Sequence, residues 1–309
     1  MARLHARIGT LRQLEILLAV YKEGSVTGAS KALFLTQPTV SMQLKKLAEA
    51  VGTPLYEQLG RKLIFTQTGL EVVRTAREIM ESIGQLEMRL ADMQGLKAGT
   101  LRLAVVTTAK YFIPHLLGEF LQHYPQIDID FKVGNREQII DRMAEGEDDF
   151  YVFSHPPRHN DLNLHEFLPN PLVAIAQQGH PLSSERNIPL QTFVDQPFLI
   201  REPGSGTRYA IERHFEQLGV EPNVRMTVES NEAIKHAVMS GLGVSILSSH
   251  TLAFGGSSGL ARLDVEHLPV TTRWYLASLK ARQPSIVART FLDYVEACGR
   301  QSMISHLDL

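Results

Sequence analysis

The chain has 309 residues, 44% of them apolar, 21% charged and 7% aromatic, with 31 Lys/Arg against 33 Asp/Glu. That length fits two or three globular domains, and no stretch approaches the roughly 18 uninterrupted apolar residues of a membrane span. The start MARLHARIGTLRQ lacks the apolar run of a signal peptide, so a cytoplasmic protein without a membrane partner is expected. The single cysteine, Cys298, excludes an internal disulfide and a multi-cysteine zinc site, and reads as a packed thiol. Charge is uneven: residues 1 to 66 carry nine Lys/Arg and four acids, net +5, leaving -7 for the rest, so a polyanion should prefer the N-terminal portion.

Leu11, Leu14, Leu17, Leu18 and Tyr21 recur at three- and four-residue steps and predict an amphipathic helix ending near Gly24. Ser25 caps a second, short helix to about residue 33, in which Gly28 and Ala29 leave room for a neighbour. Phe34 and Leu35 make the turn. Thr36 is a good N-cap for a third helix from Gln37, and Pro38 in its first turn wastes no hydrogen bond. Val40, Leu44, Leu47 and Val51 share one face, leaving Gln37, Thr39, Ser41, Met42, Gln43, Lys45 and Lys46 exposed or partly exposed. Short polar side chains near the helix start can reach base edges, and the lysines further along can meet phosphates. A solvated helix face would look similar; a wing and a pairing helix downstream separate the two readings.

Residues 60 to 66 read as a turn leading into a short strand, with Arg61 and Lys62 at the tip where a wing would follow a recognition helix. A long helix then opens at Thr68 or a neighbour. Along it Val72, Ala76, Ile79, Ile83, Leu86, Leu90 and Met93 form a heptad seam that predicts pairing with a second copy. A core stripe packed on its own domain is the competing reading. A dimer would present two recognition helices to two half-sites.

The run GSVTGASKALFLTQPTVSMQLKKLAEAVGTPLYEQLGRKLIFTQTG resembles the DNA-binding signature of the LysR-type transcription regulators. Within that family the stretch TTAKYFIPHLLGEF and the recognition helix are most similar to regulators of carbon dioxide fixation (Calvin cycle, RuBisCO) operons. The resemblance implies contacts with double-stranded DNA, at an interrupted inverted repeat in a promoter, from Gln37, Pro38, Thr39, Ser41, Gln43, Lys45 and Arg61. It also implies a homodimer or homotetramer and contact with RNA polymerase. One departure is Met42, where many members carry arginine; methionine can touch a thymine methyl but cannot grip guanine.

Residues 95 to 99 read as a hinge, after which short apolar strands alternate with amphipathic helices. Strands are predicted over residues 101–106, 127–133, 150–153, 171–176, 198–201, 224–228, 244–247 and 274–279, with helices over 112–123, 137–145, 208–218, 232–239 and 286–297. The expected organisation is an α/β chain: an α-rich winged helix-turn-helix over residues 1–66, a dimerisation helix over 67–95 and an effector domain over 96–309. That last domain would be two-lobed, like periplasmic binding proteins, with lobe I near 100–170 and 273–309 and lobe II near 171–272.

Ligands of open parallel sheets sit beyond the carboxyl ends of the strands. Those ends hold Thr107, Thr108 and Lys110, then Asn135 and Arg136, then His155, and in lobe II Arg201 with Gly204, Ser205, Gly206, Thr207 and Arg208. Glycines at a helix start let amides converge on an anion. No cofactor is expected; the expected effector is a small anion, and the resemblance implies a phosphorylated metabolite or NADPH. The serine of the Gly255–Gly259 run matches a hydrolase elbow in letters only, since no strand precedes it, so no enzyme is expected. His155 and His159 are separated by Pro156 and Pro157, which argues against a metal pair. The alternative is a metabolite-binding two-lobed protein without DNA-regulatory activity.

Overall fold

The computed structural model describes residues 10–59, 62–93, 97–157 and 161–297. By contacts the chain divides into two compact units, Met1–Leu90 and Ala91–Leu309. The hinge residues 95 and 96, Arg61, His159 and Cys298 lie outside the described residues.

In the first unit α1 (Leu11–Glu23) stops at Gly24, whose φ of 64° suits glycine. Helix α2 (Val26–Ala32) is capped by Ser25, whose Oγ accepts from the Gly28 amide at 3.0 Å. Thr36 caps α3 (Gln37–Val51) in the same way, accepting from the Thr39 amide at 3.3 Å. A hairpin of β1 (Tyr56–Leu59) and β2 (Lys62–Phe65) follows, and then α4 (Gln67–Met93). Only the second of these strands is predicted from sequence, because the mixed run Tyr-Glu-Gln-Leu carries no periodic signal of its own. Helix α4 opens at Gln67, the neighbour of Thr68, and Thr66 caps it by accepting from the Gly69 amide. A side chain at Gly69 would run into the Leu55 carbonyl, so α4 begins tight against the chain entering the hairpin.

The core joins Leu14, Leu17 and Val20 of α1, Ala29 of α2, Val40, Leu44 and Leu47 of α3, and Val73 and Ala76 of α4. The expected heptad seam therefore divides. Ala76 is buried in this core and Val72 packs against it, whereas Ile79, Leu86, Leu90 and Met93 are 38, 55, 51 and 84% exposed.

The second unit runs in order through β3 (Gly99–Val106), a short 3-10 turn (Ala109–Tyr111), α5 (Ile113–His123), β4 (Ile127–Gly134), α6 (Arg136–Ala144), β5 (Phe150–Phe153) and β6 (Leu162–Gln177). It continues with α7 (Leu190–Val194), β7 (Phe198–Arg201), α8 (Gly206–Leu218), β8 (Val224–Val228), α9 (Asn231–Met239), β9 (Ser245–Ser248), α10 (Ser249–Gly255), β10 (Leu260–Arg262), β11 (Val270–Leu279) and α11 (Ile286–Ala297). In the first lobe β3 pairs in parallel with β4 and β5. The long strands β6 and β11 run antiparallel from Leu162↔Leu279 to Leu172↔Val270 and carry the sheet into the second lobe, where β9 and β10 join β6 and β7 pairs with β8.

Strand β6 starts well before residue 171. Pro169 and Pro171 both lie within it; they are two residues apart, so both missing N–H groups fall on one edge and the other edge keeps its ladder. The first lobe packs on buried rings: Phe112 lies 5.1 Å from Trp274, and Phe120 lies 5.1 Å from Phe291 of α11. A separate cluster including Phe193, Phe198, Ile211, Phe215 and Val244 fills the second. Among the described residues no helix is long and apolar enough to cross a membrane, and no group of three or more His, Cys, Asp or Glu is placed to hold a metal ion.

Candidate functional site

The capped start of α3 projects Gln37, Pro38 and Ser41 into solvent, with Lys45 and Lys46 one turn on, while Val40, Leu44 and Leu47 anchor the opposite face. Thr39 is half-buried and its hydroxyl lies 2.8 Å from that of Thr36. Gln43 is also half-buried, and its Oε1 accepts from Nε2 of Gln13 on α1 at 3.1 Å. Met42 is 49% exposed beside these polar groups. Lys62 begins β2.

In the second unit the strand ends converge. Thr107 donates through Oγ1 to the Gly134 carbonyl at 2.9 Å, tying the end of β3 to the end of β4. Thr108 is buried, 3.3 Å from the Thr207 hydroxyl across the lobes. Asn135 caps α6, its Oδ1 accepting from the Gln138 amide at 2.9 Å, which leaves its NH2 to donate outward. From the other lobe come Ser205 and Gly206 at the start of α8; the Ser205 side chain makes no capping bond. A Cβ at Gly206 would lie 3.5 Å from Ser154 Oγ and 3.7 Å from Arg136 Cδ, ordinary contact distances that place the start of α8 against residues of the other lobe. Together these residues and Arg201 line a cleft of about 220 Å³, its open mouth included.

Two cations bear on the cleft differently. Arg201 is buried and committed, its Nε and Nη2 donating to the Glu202 carboxylate at 2.7 and 2.9 Å. Arg136 donates from Nε to the His155 carbonyl at 2.8 Å and lays its guanidinium 5.1 Å over the Tyr209 ring, with no carboxylate partner among the described residues. Burial lowers the Arg136 pKa from its ordinary value, the condition of a cation short of an anion.

Four expected residues stand outside the lining. Lys110 stacks 5.2 Å over Tyr111. Arg208 pairs with Glu212 at 2.6 Å and donates to the Arg201 carbonyl, on an outer groove that Gly204 also lines. His155 contributes its carbonyl; burial, helped by Arg136 and Arg213, pushes its ring pKa down to about 4, so the ring is neutral near pH 7. Sequence reasoning missed Tyr209 and Asn231. Asn231 reads as an ordinary helix-start residue, and its bond to Thr108 spans 123 positions.

A winged helix-turn-helix carried in one chain with a two-lobed domain whose cleft is rich in donors defines a DNA-binding transcription regulator with an effector domain. Residues 11–70 match the family described as bacterial regulatory helix-turn-helix protein, lysR family, and residues 94–299 match the LysR substrate binding domain. The chain is 51% identical over 289 residues, 93% of its length and 95% of the relative's, to the HTH-type transcriptional activator CmpR of Synechocystis sp.. It is 40% identical over 294 residues, 95% of each chain, to the RuBisCO operon transcriptional regulator of Acidithiobacillus ferrooxidans. A solved structure of the Synechocystis CcmR regulatory domain in complex with 2-PG is 50% identical, with a TM-score of 0.63, and covers 66% of this chain and 98% of that one. The chain belongs to the LysR family of bacterial transcription regulators.

Proposed function

We propose that this regulator controls carbon-fixation genes and that a small phosphorylated acid of the 2-phosphoglycolate type, held between the lobes, sets its activity. The observation that carries the effector is Arg136: a partly buried guanidinium without a carboxylate partner among the described residues, at the rim of a cleft lined by hydroxyls and the first amides of α8. The regulatory domain of CcmR, half identical in sequence, was solved with 2-PG, and the relatives named above are a CmpR activator and a RuBisCO operon regulator. NADPH is the weaker candidate, because the half-identical CcmR regulatory domain was solved with 2-PG.

In this reading residues 1–66 read promoter DNA in the cytoplasm through Gln37, Pro38, Thr39, Ser41, Gln43, Lys45, Arg61 and Lys62. Helix α4 pairs two copies along Ile79, Ile83, Leu86, Leu90 and Met93, two such pairs form a tetramer, and RNA polymerase is the downstream partner. The effector acts by favouring one angle between lobes, and it can shift that equilibrium only by its difference in affinity for the two arrangements. Thermal unfolding with 2-phosphoglycolate tests the assignment. At about 100 times its Kd the ligand adds about 2.7 kcal/mol of stability, a plain rise in Tm; no rise at millimolar ligand contradicts it.

A further inference from the structure

Buried Arg201 has no acceptor to offer, since a guanidinium only donates. Its Nη1 donates to Oδ1 of Asn231, itself 1% exposed, at the first residue of α9. This settles the orientation of the Asn231 amide: oxygen toward Arg201, NH2 toward Thr108. Nδ2 accordingly donates to Thr108 Oγ1 at 3.3 Å, and Thr108 lies 3.3 Å from Thr207 Oγ1. Two hydroxyls that face each other share one hydrogen. Whichever of them donates to the other, the second O–H is left over, and both residues line the cleft.

We infer that Asn231 is a positioning residue that fixes the cleft as a hydrogen-bond donor site, selecting an anionic effector without touching it. The direction of donation runs from Arg201 through Asn231 to the Thr108–Thr207 pair and cannot reverse, because its first member cannot accept. An aspartate at position 231 takes the Thr108 hydrogen instead, turns an acceptor toward the cleft and adds a negative charge. The same substitution suits the fold, since a carboxylate at a helix start beside an arginine is stabilised.

The inference rests on the effector reading above, so full-length wild type, Asn231→Asp and Asn231→Ala are titrated calorimetrically with 2-phosphoglycolate, with Tm measured for each. The expected order of affinity is wild type, then Ala, then Asp, with Asp weaker than wild type by about 30-fold or more while its Tm stays at or above that of Ala. A role in packing alone predicts the opposite: affinity falling in step with Tm, and Ala the weaker variant. Wild-type binding with Asp within about 3-fold, less than one typical hydrogen bond, overturns the relay and leaves the effector reading standing. No binding by wild type overturns both. Should Asn231→Asp fail to fold, Thr108→Ser and Thr108→Val decide: serine keeps the hydroxyl and is expected within about 3-fold of wild type, valine to lose about 10-fold. Equal affinity for the two contradicts a hydroxyl donor.

Discussion

Nε2 of Gln13, on the first helix, donates to Oε1 of Gln43 on the reading helix at 3.1 Å, so a buried residue of the scaffold aims one that faces outward. In the DNA-contact reading proposed above, that bond turns the Gln43 NH2 group outward, where it can donate to an acceptor on a base edge.

Replacing Gln13 by Leu should then weaken operator binding by about 5-fold, the worth of one hydrogen bond, and broaden the base preference at the position Gln43 reads. Gln43→Ala should do the same, and the double variant should be no worse than either single one, because both remove one interaction. Fluorescence anisotropy on operator duplexes measures this; additive losses would show that the two glutamines act separately.

The divided seam of α4 gives opposite outcomes on one helix. Leu86 is 55% exposed and Ala76 is 1% exposed. Leu86→Asp should dissociate the oligomer, seen by analytical ultracentrifugation, while the reader stays folded. Ala76→Asp should instead unfold the reader, because a charge enters a closed core at a cost of several kcal/mol. An oligomer unmoved by Leu86→Asp would place pairing elsewhere.

His250 on α10 is fully buried against the rings of Phe112, Phe254 and Trp274, and neither ring nitrogen has a hydrogen-bond partner among the described residues. Burial pushes its pKa from 6.5 down to about 4. Between those values the unfolded chain binds a proton that the folded chain refuses. Stability is thus complete above pH 6.5 and falls as pH drops toward 4, by at most about 3 kcal/mol from this residue. His155 adds a loss of the same sign. Urea unfolding at pH 7 and pH 5 should show the drop, and His250→Phe should shrink it; an unchanged difference would assign the pH dependence to other groups.

Removing the Arg136 guanidinium should separate binding from closure. Arg136→Ala loses both the cation at the cleft rim and the contact with Tyr209, and should weaken 2-phosphoglycolate by about 30-fold. Tyr209→Phe keeps the ring face and should stay within about 2-fold, since cation–π attraction needs no hydroxyl. Isothermal calorimetry on the two variants reads both effects, and equal losses would indicate that the tyrosine hydroxyl itself takes part.

The reading helix was legible because its signals are local: the cap at Thr36, Pro38 in the first turn and apolar residues at helical spacing lie within one stretch. The glycine-flanked start of α8 was legible for the same reason. Residues 162–170 of β6 were not, since their ladder is made with β11, about a hundred positions away in sequence. Charge shows in sequence but its partner does not: Arg208 reads as a cation ready for an anion, and in the structure Glu212, one helical turn on, pairs with it. Asn231 could not be found at all, because its meaning depends on Arg201 and Thr108, which are distant in sequence.

The most direct test selects fragments of sheared source-genome DNA with the full-length protein, with and without 2-phosphoglycolate, and repeats the selection with Gln37 and Ser41 changed to Ala. The expected result is enrichment of an interrupted inverted repeat upstream of carbon-fixation genes, altered by the acid and lost in the double variant. Enrichment that ignores the acid, or repeats lying upstream of unrelated genes, would contradict the account.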